Sequence, residues 1–356
     1  MTRLPETPNP NHISVSRALS LLFDAPVDMR ARDDLAAAIR GGCFPWGRFL
    51  ADGAAPYFFD RIKKSGLEAE TPTEIRARLE QLLIEQTGRN IIMLRELDAA
   101  TAALNSRGVE PVLLKGAALL KTVYPHPGHR RLADLDLLIR KNEMPAAAEA
   151  LAGIGYSPAG ARGHHLNFAA RREFPVLIEL HTHLFNPDNP MFRYAFPIDA
   201  EKFADNAVPF EWEGMRARMP RSEDMALHLI CHAVRERYGS LKYFADLNEL
   251  FEGGLVDREL LYRMCVDYKI QCMFIDFLNE FEYLNKYDII GGSGPGGRKA
   301  GRRRIWVDKP QLGGGLRGRI DEALFYIGKI EGWNRRAAAI LSLPCYVFRR
   351  GIAKQN

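Results

Sequence analysis

The sequence lacks paired cysteines, a signal peptide and any apolar run long enough to cross a bilayer. Its five cysteines are odd in number, scattered and without a CxxC pair, which argues against a disulfide framework and a zinc ribbon. The first residues, MTRLPETPNPNH, contain no apolar segment of the signal-peptide kind. The apolar stretch from Ala337 to Phe348 is too short for a membrane span and contains Pro344. We therefore expect a cytoplasmic protein without a transmembrane segment.

The charge of the chain is unevenly distributed. Residues 298–356 contain 14 Lys and Arg against 4 Asp and Glu, whereas residues 1–297 contain 35 against 40. A basic tail of this kind suits nucleic acid, an anionic membrane surface or a solvated face. No interleaving of aromatic and basic residues typical of RNA binding is present. We favour a terminal helix that packs on the body, with nucleic-acid binding and peripheral membrane contact as alternatives.

Two acids two residues apart are the first candidate site residues. Residues Ala133 to Ile139 alternate in the manner of a β-strand, which puts Asp134 and Asp136 on one face about 7 Å apart. Like-charged carboxylates repel each other, and Mg²⁺, which prefers oxygen ligands, would relieve that repulsion. The spacing therefore predicts a cation site, and the simpler alternative is a pair of surface acids.

A strand, a turn and a helix precede these acids. The strand Pro111 to Leu114 leads to Lys115 and Gly116, and a helix is predicted from Ala117 to Tyr124. A glycine lets backbone N–H groups approach a phosphate at the positive end of a helix, and the lysine adds charge. The segment predicts a phosphate site beside the cation site, unless it is a plain turn with a solvated lysine.

A third acid follows in the strand-like segment Pro175 to Leu184. Glu179 lies there among apolar residues, with His181 and His183 on its own face of the pleat. Burying a carboxylate in such a strand is costly unless it is paired or binds a metal. We therefore group Glu179 with Asp134 and Asp136 as a metal triad.

The order LLKG, RxxDLDLLI and IELH resembles the nucleotidyltransferase superfamily with the DNA polymerase β type of fold, in particular a bacterial branch with a KG turn. The resemblance covers roughly residues 85 to 250, and the DLD and IELH pairing is its specific part. It implies an α/β (α+β) fold, with a small mixed sheet flanked by N- and C-terminal helical regions. The wider superfamily has Gly-Ser or Gly-Gly at the turn, where this chain has Gly116 followed by Ala117.

The resemblance also implies an activity. A nucleoside monophosphate would pass from an NTP, with ATP expected, to a hydroxyl acceptor, and pyrophosphate would leave from a two-metal site. The acceptor, a small molecule, a protein or RNA, is left open. The implied site residues are Asp134, Asp136 and Glu179 for Mg²⁺ or Mn²⁺, with Glu179 as the expected base, and Lys115, Gly116 and Arg131 for the nucleotide, with Arg130 a weaker candidate.

Helical segments surround this centre. Short helices are predicted from Ser14 to Phe59 and longer ones from Thr73 to Leu104 and from Ser222, as N-cap, to Arg237. A helix is also predicted from Met144 to Leu151 and a strand from His164 to Ala170. We divide the chain into an N-terminal helical region (1–88), a nucleotidyltransferase-like core (89–200), a helical region (201–290) and a Gly-rich linker with basic tail (291–356).

Three alternatives stay open. Ala117 and the long loop Pro125 to Arg131 favour a non-catalytic adaptor that binds a nucleotide or a partner. His228 and His232, four residues apart on a helix, could join His181 and His183 in a zinc site, although the Glu of an HExxH motif is absent. The GxGxxG pattern at residues 292–297 contains a proline and precedes RKAGRRR, so we interpret it as a linker.

Overall fold

The computed structural model describes residues 13–162, 165–170, 172–280 and 316–342. The strands in this part of the chain are β1 (Val112–Leu113), β2 (Leu135–Leu138), β3 (Tyr156–Arg162), β4 (His165–Ala170), β5 (Leu177–His181), β6 (Val208–Trp212) and β7 (Met215–Met219). They form one mixed sheet in the order β3-β4-β5-β2-β1-β7-β6, in which β2 is parallel to β5 and antiparallel to β1. The predicted α/β fold with a mixed sheet is confirmed.

Helices cover both ends of the described chain and its connections. They are α1 (Val15–Asp24), α2 (Met29–Arg40), α3 (Trp46–Leu50), α4 (Ala55–Lys64), α5 (Thr73–Ser106), α6 (Lys115–Thr122), α7 (Met144–Gly153), α8 (Pro190–Ala195), α9 (Ala200–Asn206), α10 (Ser222–Arg235), α11 (Lys242–Glu252), α12 (Arg258–Asp267), α13 (Gln271–Glu280), α14 (Leu316–Lys329) and α15 (Trp333–Leu341). Short 3₁₀ helices span Glu68–Glu70 and Lys141–Glu143.

Helix α5 connects the N-terminal helices to the sheet. Its buried residues recur every three or four positions, as in Met93, Leu97, Ala100 and Leu104, which is the spacing of one helix face. These side chains join a continuous apolar core that includes helices α1 and α4 and strands β1 and β2. The helix passes residues 88 and 89 without a break, and the division of the chain into four regions stays a prediction.

A hairpin at the edge of the sheet was not predicted from the sequence. Strands β6 and β7 pair antiparallel through Glu213 and Gly214, both of which have positive φ angles, 49° and 79°. Two consecutive residues of this conformation form the turn that matches the twist of a hairpin, and glycine is favoured there. The dipeptide Glu213-Gly214 between two alternating segments was the sequence signal that could have predicted this hairpin. Strand β7 then pairs parallel to β1, which extends the sheet beyond β1.

The terminal helices α14 and α15 pack on α8. The ring of Tyr326 lies 5.4 Å from that of Phe192, and its hydroxyl donates to the Arg235 carbonyl oxygen at 2.7 Å. Arg335 also donates to the carbonyl oxygen of Tyr194. The described part of the basic tail therefore packs against the body, as we favoured. The Gly-rich segment 292–297 and the basic residues of 298–315 and 343–356 lie outside the described residues, and nucleic-acid binding by the tail stays a prediction.

The prediction that Ser222 caps the long helix α10 is wrong. Ser222 is the first helical residue, Arg221 occupies the cap position, and no side chain caps the helix there. Glu223 instead accepts a hydrogen bond from the backbone of Asp257, at 2.8 Å, which ties the start of α10 to the segment before α12. The helix end is thus held by a tertiary contact that the local sequence does not reveal.

Candidate active site

The three predicted acids line one cavity. Strands β2 and β5 are parallel neighbours, with Asp136 opposite Glu179 in register, so their side chains leave the same face of the sheet. Asp134 directly precedes β2, and all three carboxylates line a cavity of about 250 Å³. The crossover between β2 and β5 that makes them neighbours is not visible in the sequence.

The cavity is also rich in cations. Five of them line the cavity with the acids. They come from the turn after β1, the loop before β2 and helices α10 and α11. They are Lys115, Arg130, Arg131, Arg235 and Lys242. Cations and acids in one cavity suit a ligand that carries several negative charges together with bound metal.

Asp136 is the most tightly held acid of the cavity. It is buried, and its Oδ1 accepts from Lys115 Nζ at 2.8 Å and lies 2.8 Å from His181 Nε2. Burial alone would raise the pKa of this carboxyl, but the Lys115 charge and the His181 hydrogen bond hold it well below its ordinary value. Burial would likewise lower the pKa of His181, yet its bonds to Asp136 and Glu179 raise it. Asp136 is therefore ionised and paired at neutral pH.

Asp134 and Glu179 differ from each other in their electrostatics. Burial, followed by the neighbouring charge of Asp136, raises the pKa of Asp134 to about 6. For Glu179 burial acts in the same direction, but the hydrogen bond from His181 outweighs it and lowers the pKa. Asp134 is the acid that most lacks a compensating charge.

The turn at Lys115 and Gly116 is shaped by close packing. Helix α6 begins at Lys115, two residues before the predicted start, and Lys115 itself has a left-handed φ of 46°. That conformation costs a non-glycine residue about 1 to 3 kcal/mol. A Cβ at Gly116 would overlap Arg130 Nη1 and lie 2.5 Å from Leu132 Cδ2. The glycine is thus required by the side chains beneath it.

Arg130, the weaker candidate of the sequence analysis, is the more firmly placed of the two arginines. Its Nε donates to Asp246 Oδ1 at 2.8 Å, both side chains are buried, and Tyr124 donates to the same oxygen at 2.6 Å. Burial opposes the charge, but Asp246 raises the pKa of Arg130 above its ordinary value. Arg131 lines the cavity from an exposed position. The partner Asp246 lies on α11, more than a hundred residues along the chain, so the sequence offered no sign of it.

The loop that carries both arginines is fixed by helix α5. Asn90 Nδ2 donates to the carbonyl oxygens of Pro127 and Arg130, at 2.6 and 2.7 Å, and its Oδ1 accepts from Leu132 N at 3.1 Å. Gly128 approaches α5 so closely that a Cβ would overlap Thr87 Oγ1. The long loop that had suggested an adaptor is thus held by buried hydrogen bonds.

The histidines fall into separate groups. His183 is exposed, whereas His228 and His232 are buried in α10 with their Nε2 atoms 3.0 Å apart. Burial lowers the pKa of both well below its ordinary value. The structure does not assemble the four-histidine zinc site. Among the described residues, His165, Glu179 and His181 form the group whose donor atoms all lie within 4.8 Å of one another, and the three acids of the predicted triad share the cavity without meeting that spacing.

Comparison with known proteins identifies the family. Residues 49–279, more than half of the chain, match the family described as uncharacterised nucleotidyltransferase. The chain belongs to this nucleotidyltransferase family. The resemblance to a nucleotidyltransferase family, drawn from the LLKG, DLD and IELH motifs, is thereby confirmed, and all three motifs lie inside the matched range. The bacterial branch stays a prediction.

Other comparisons add less. A search of curated proteins found no match. A solved structure, that of an antigenic nucleotidyltransferase-like protein from Paracoccidioides brasiliensis, is similar over 58% of this chain and 91% of its own, with 15% identity and a TM-score of 0.36.

Several residues that line the cavity were missed in the sequence analysis. His165 was placed on a strand but not linked to Glu179, and Arg235, Glu236 and Lys242 were not linked to the site at all. The charged run Arg235-Glu236-Arg237 directly after an apolar helix was the available signal, because a helix end that carries both signs of charge is solvated or faces a polar cavity. In the described ranges, no helix has both the length and the apolar character needed to cross a bilayer.

Proposed function

We propose that this chain transfers a nucleoside monophosphate from an NTP to a hydroxyl acceptor and releases pyrophosphate. The observation that carries the proposal is the in-register pair of Asp136 and Glu179, which shares one cation-lined cavity with Asp134. Membership of a nucleotidyltransferase family supports the same class of reaction.

The donor set fits a hard divalent cation. Asp134, Asp136 and Glu179 offer carboxylate oxygens, the ligands that Mg²⁺ and Mn²⁺ prefer. Burial, and after it the charge of Asp136, raises the pKa of Asp134, and a bound cation would offset both effects. Mg²⁺ or Mn²⁺ held there would supply positive charge to the α-phosphate and to the departing pyrophosphate.

The chain's own cations would bind the triphosphate. Lys115 reaches the cavity from the first residue of α6, and the first N–H groups of that helix lack intrahelical partners. Arg130 presents a planar guanidinium whose orientation is fixed by Asp246, which suits bidentate contact with phosphate oxygens. Arg131 adds charge at the exposed rim. Lys115, Arg130 and Arg131 together would orient the phosphates for in-line displacement.

The chemical step then balances as follows. The acceptor oxygen forms a bond to the α-phosphorus, and the bond from that phosphorus to the bridging oxygen of pyrophosphate breaks. Glu179, whose pKa is lowered by His181, is ionised and able to take the hydroxyl proton. ATP is the donor we expect, and a small molecule, a protein or RNA would serve as acceptor.

The test is pyrophosphate release from the full-length protein with each of ATP, GTP, CTP and UTP, in the presence of Mg²⁺ and a cell extract as the source of acceptor. We expect Asp134→Asn to lower the rate by at least about 100-fold, since losing a metal ligand costs more than losing an outer contact. This variant should fold well because it removes an uncompensated charge.

The matched control is Asp188→Asn, an exposed acid that does not line the cavity. It should release pyrophosphate at the wild-type rate. Nucleotide binding without turnover in the wild type would replace the transferase proposal by the adaptor. Equal rates of pyrophosphate release for Asp134→Asn and Asp188→Asn would show that Asp134 has no role in the reaction.

A further inference from the structure

Strands β4 and β5 bring a second group of metal-binding side chains to the sheet face. His165 lies directly opposite His181 in the antiparallel register, and Glu179 is two residues before His181 on the same strand. All three side chains therefore leave the same face of the pleat. One donor atom from each lies within 4.8 Å of the other two. The backbone register, rather than a flexible loop, fixes this arrangement.

The contacts of Glu179 with the two histidines are longer than strong hydrogen bonds and match the edges of a coordination shell. Glu179 Oε2 lies 3.4 Å from His181 Nε2 and 3.6 Å from His165 Nε2. A charge-assisted N–H···O bond is shorter, about 2.7 to 2.9 Å. Ligands at about 2.1 Å from a tetrahedral zinc ion are separated by about 3.4 Å. Both measured separations lie close to that tetrahedral edge.

Asn167 adds an independent observation. It lies opposite Glu179 in the register and two residues after His165, on the same face of the sheet. Its Oδ1 is buried, and within the described residues it has no hydrogen-bond partner. Buried amide oxygens are rarely left without a donor. A water molecule held by an ion at the three donors would be such a donor.

We propose that His165, Glu179 and His181 form a binding site for a transition-metal ion of the zinc type, with the fourth position open to water or to a phosphate oxygen. Two imidazoles and one carboxylate are a donor set of catalytic zinc sites, and imidazole selects zinc over magnesium. His165, Glu179 and His181 all line the cavity, so the open position is accessible to a ligand there.

This site is distinct from the carboxylate site of the proposed function. Its two nitrogen donors belong to residues outside the acid triad, and only Glu179 is shared. A carboxylate has two oxygens and can serve two ions. His181 would exchange its 2.8 Å contact with Asp136 for the ion, and Lys115 would remain as the partner of Asp136. Zinc binding requires no nucleotide turnover, so it can be measured whether or not the chain is a transferase.

The experiment is a Zn²⁺ titration of the full-length, chelator-treated protein by isothermal calorimetry, in the presence of excess Mg²⁺. We expect one Zn²⁺ per chain that Mg²⁺ does not displace. His165→Ala should weaken this binding by at least about 100-fold. The matched control is His183→Ala, an exposed histidine two residues from His181, which should bind Zn²⁺ as the wild type does.

Asp134→Asn separates the two metal sites. It removes a ligand of the proposed Mg²⁺ site and leaves the three zinc donors intact. Because Asp134 also interacts electrostatically with Glu179, the Zn²⁺ affinity of the variant should change by less than about 10-fold. A loss of Zn²⁺ binding as large as that of His165→Ala would place the ion among the carboxylates and overturn the zinc proposal. Unchanged affinity in His165→Ala would overturn it as well.

A measurement on the wild type covers the case in which His165→Ala fails to fold. X-ray absorption of the zinc-loaded protein should show two imidazole ligands and a four-coordinate ion. A shell of oxygen ligands alone, or one imidazole, would contradict the assignment. The transferase proposal would survive that result, since it depends on Mg²⁺-supported pyrophosphate release.

Discussion

Two pairs of histidines in this chain show how neighbours decide the chemistry of a side chain. On the sheet, His165 and His181 face Glu179, and His181 bonds Asp136 at 2.8 Å. In helix α10, His228 and His232 contact each other and pack on aromatic rings; the ring of Phe185 lies 4.9 Å from that of His232. The first pair belongs to a charged cluster, whereas burial keeps the second neutral.

The lesson is that ligand spacing alone does not make a metal site. His228 and His232 have the i, i+4 spacing of zinc ligands. Both are buried, pack against the ring of Phe185 and contact each other through their Nε2 atoms, although His232 also lines the cavity. His165 and His181 are distant in sequence, and strand pairing brings them to the same acid. We therefore expect substitutions among the charged residues of the cavity to change stability by leaving a charge unpaired. Substitutions of His228 and His232 should change it through packing and one hydrogen bond.

Among the charged residues of the cavity, substitution of Arg130 should lower stability the most. We expect Arg130→Met to lower the free energy of unfolding by about 3 to 5 kcal/mol, because it leaves the buried charge of Asp246 without its partner. Urea unfolding measures this. The double variant Arg130→Met/Asp246→Asn removes both charges and keeps a side-chain oxygen for Tyr124, so it should recover most of the loss. Equal instability of the single and double variants would contradict the ionic interpretation.

Asp134→Asn should move stability in the opposite direction. The folded-state pKa of Asp134, about 6, lies above its ordinary value of 3.8, so protonation favours the folded state. The stability that the proton supplies is present below about pH 4 and is lost as pH rises to about 6. The variant should therefore be more stable than the wild type by roughly 1 to 3 kcal/mol at pH 7.

Thermal or urea unfolding between pH 4 and pH 8 checks this profile for Asp134. The difference between the variant and the wild type should shrink as the pH approaches 4. The exposed acid in Asp188→Asn should give no such profile. A destabilised Asp134→Asn at pH 7 would show that the carboxylate has a structural partner in the folded state.

The helix pair should give the smallest effect. His228→Leu keeps the volume similar but leaves His232 Nε2 without its partner at 3.0 Å, at a cost of about 1 to 2 kcal/mol. The double variant His228→Leu/His232→Leu replaces both polar groups, so its unfolding should recover part of that loss. Zn²⁺ affinity should be that of the wild type in both. A large loss of Zn²⁺ binding in either variant would show that the histidines of α10 also take part in metal binding.

The alternation of residues was enough to predict the strands of the site. It placed Asp134, Asp136 and Glu179 on strand-like segments with the acids on one face, and the fold class was what the family resemblance implied. The predicted strands were longer than the observed ones, because β2 and β5 end where pairing with their neighbours ends. Pairing depends on distant segments that periodicity does not report.

The contacts that tune the site could not be predicted. Lys115 was assigned to phosphate alone, and neither its bond to Asp136 nor its left-handed backbone was foreseen. Arg131 was preferred to Arg130, although adjacent side chains point in different directions and only one meets Asp246. His165 acquires its role from strand register. Each case depends on direction or tertiary distance, which residue type and spacing leave undetermined.

The close approach of Arg130 to Gly116 has a consequence for how this sequence can change over time. Any side chain at position 116 would collide with Arg130 Nη1 and Leu132 Cδ2. Substitution of the glycine should therefore not be tolerated while Arg130 is present. A lineage that loses Arg130 would remove the closer of the two collisions, and a shift of the Leu132 side chain would then admit alanine or serine at position 116. The two positions, 14 apart along the chain, should therefore vary together among descendants, whatever ligand they bind.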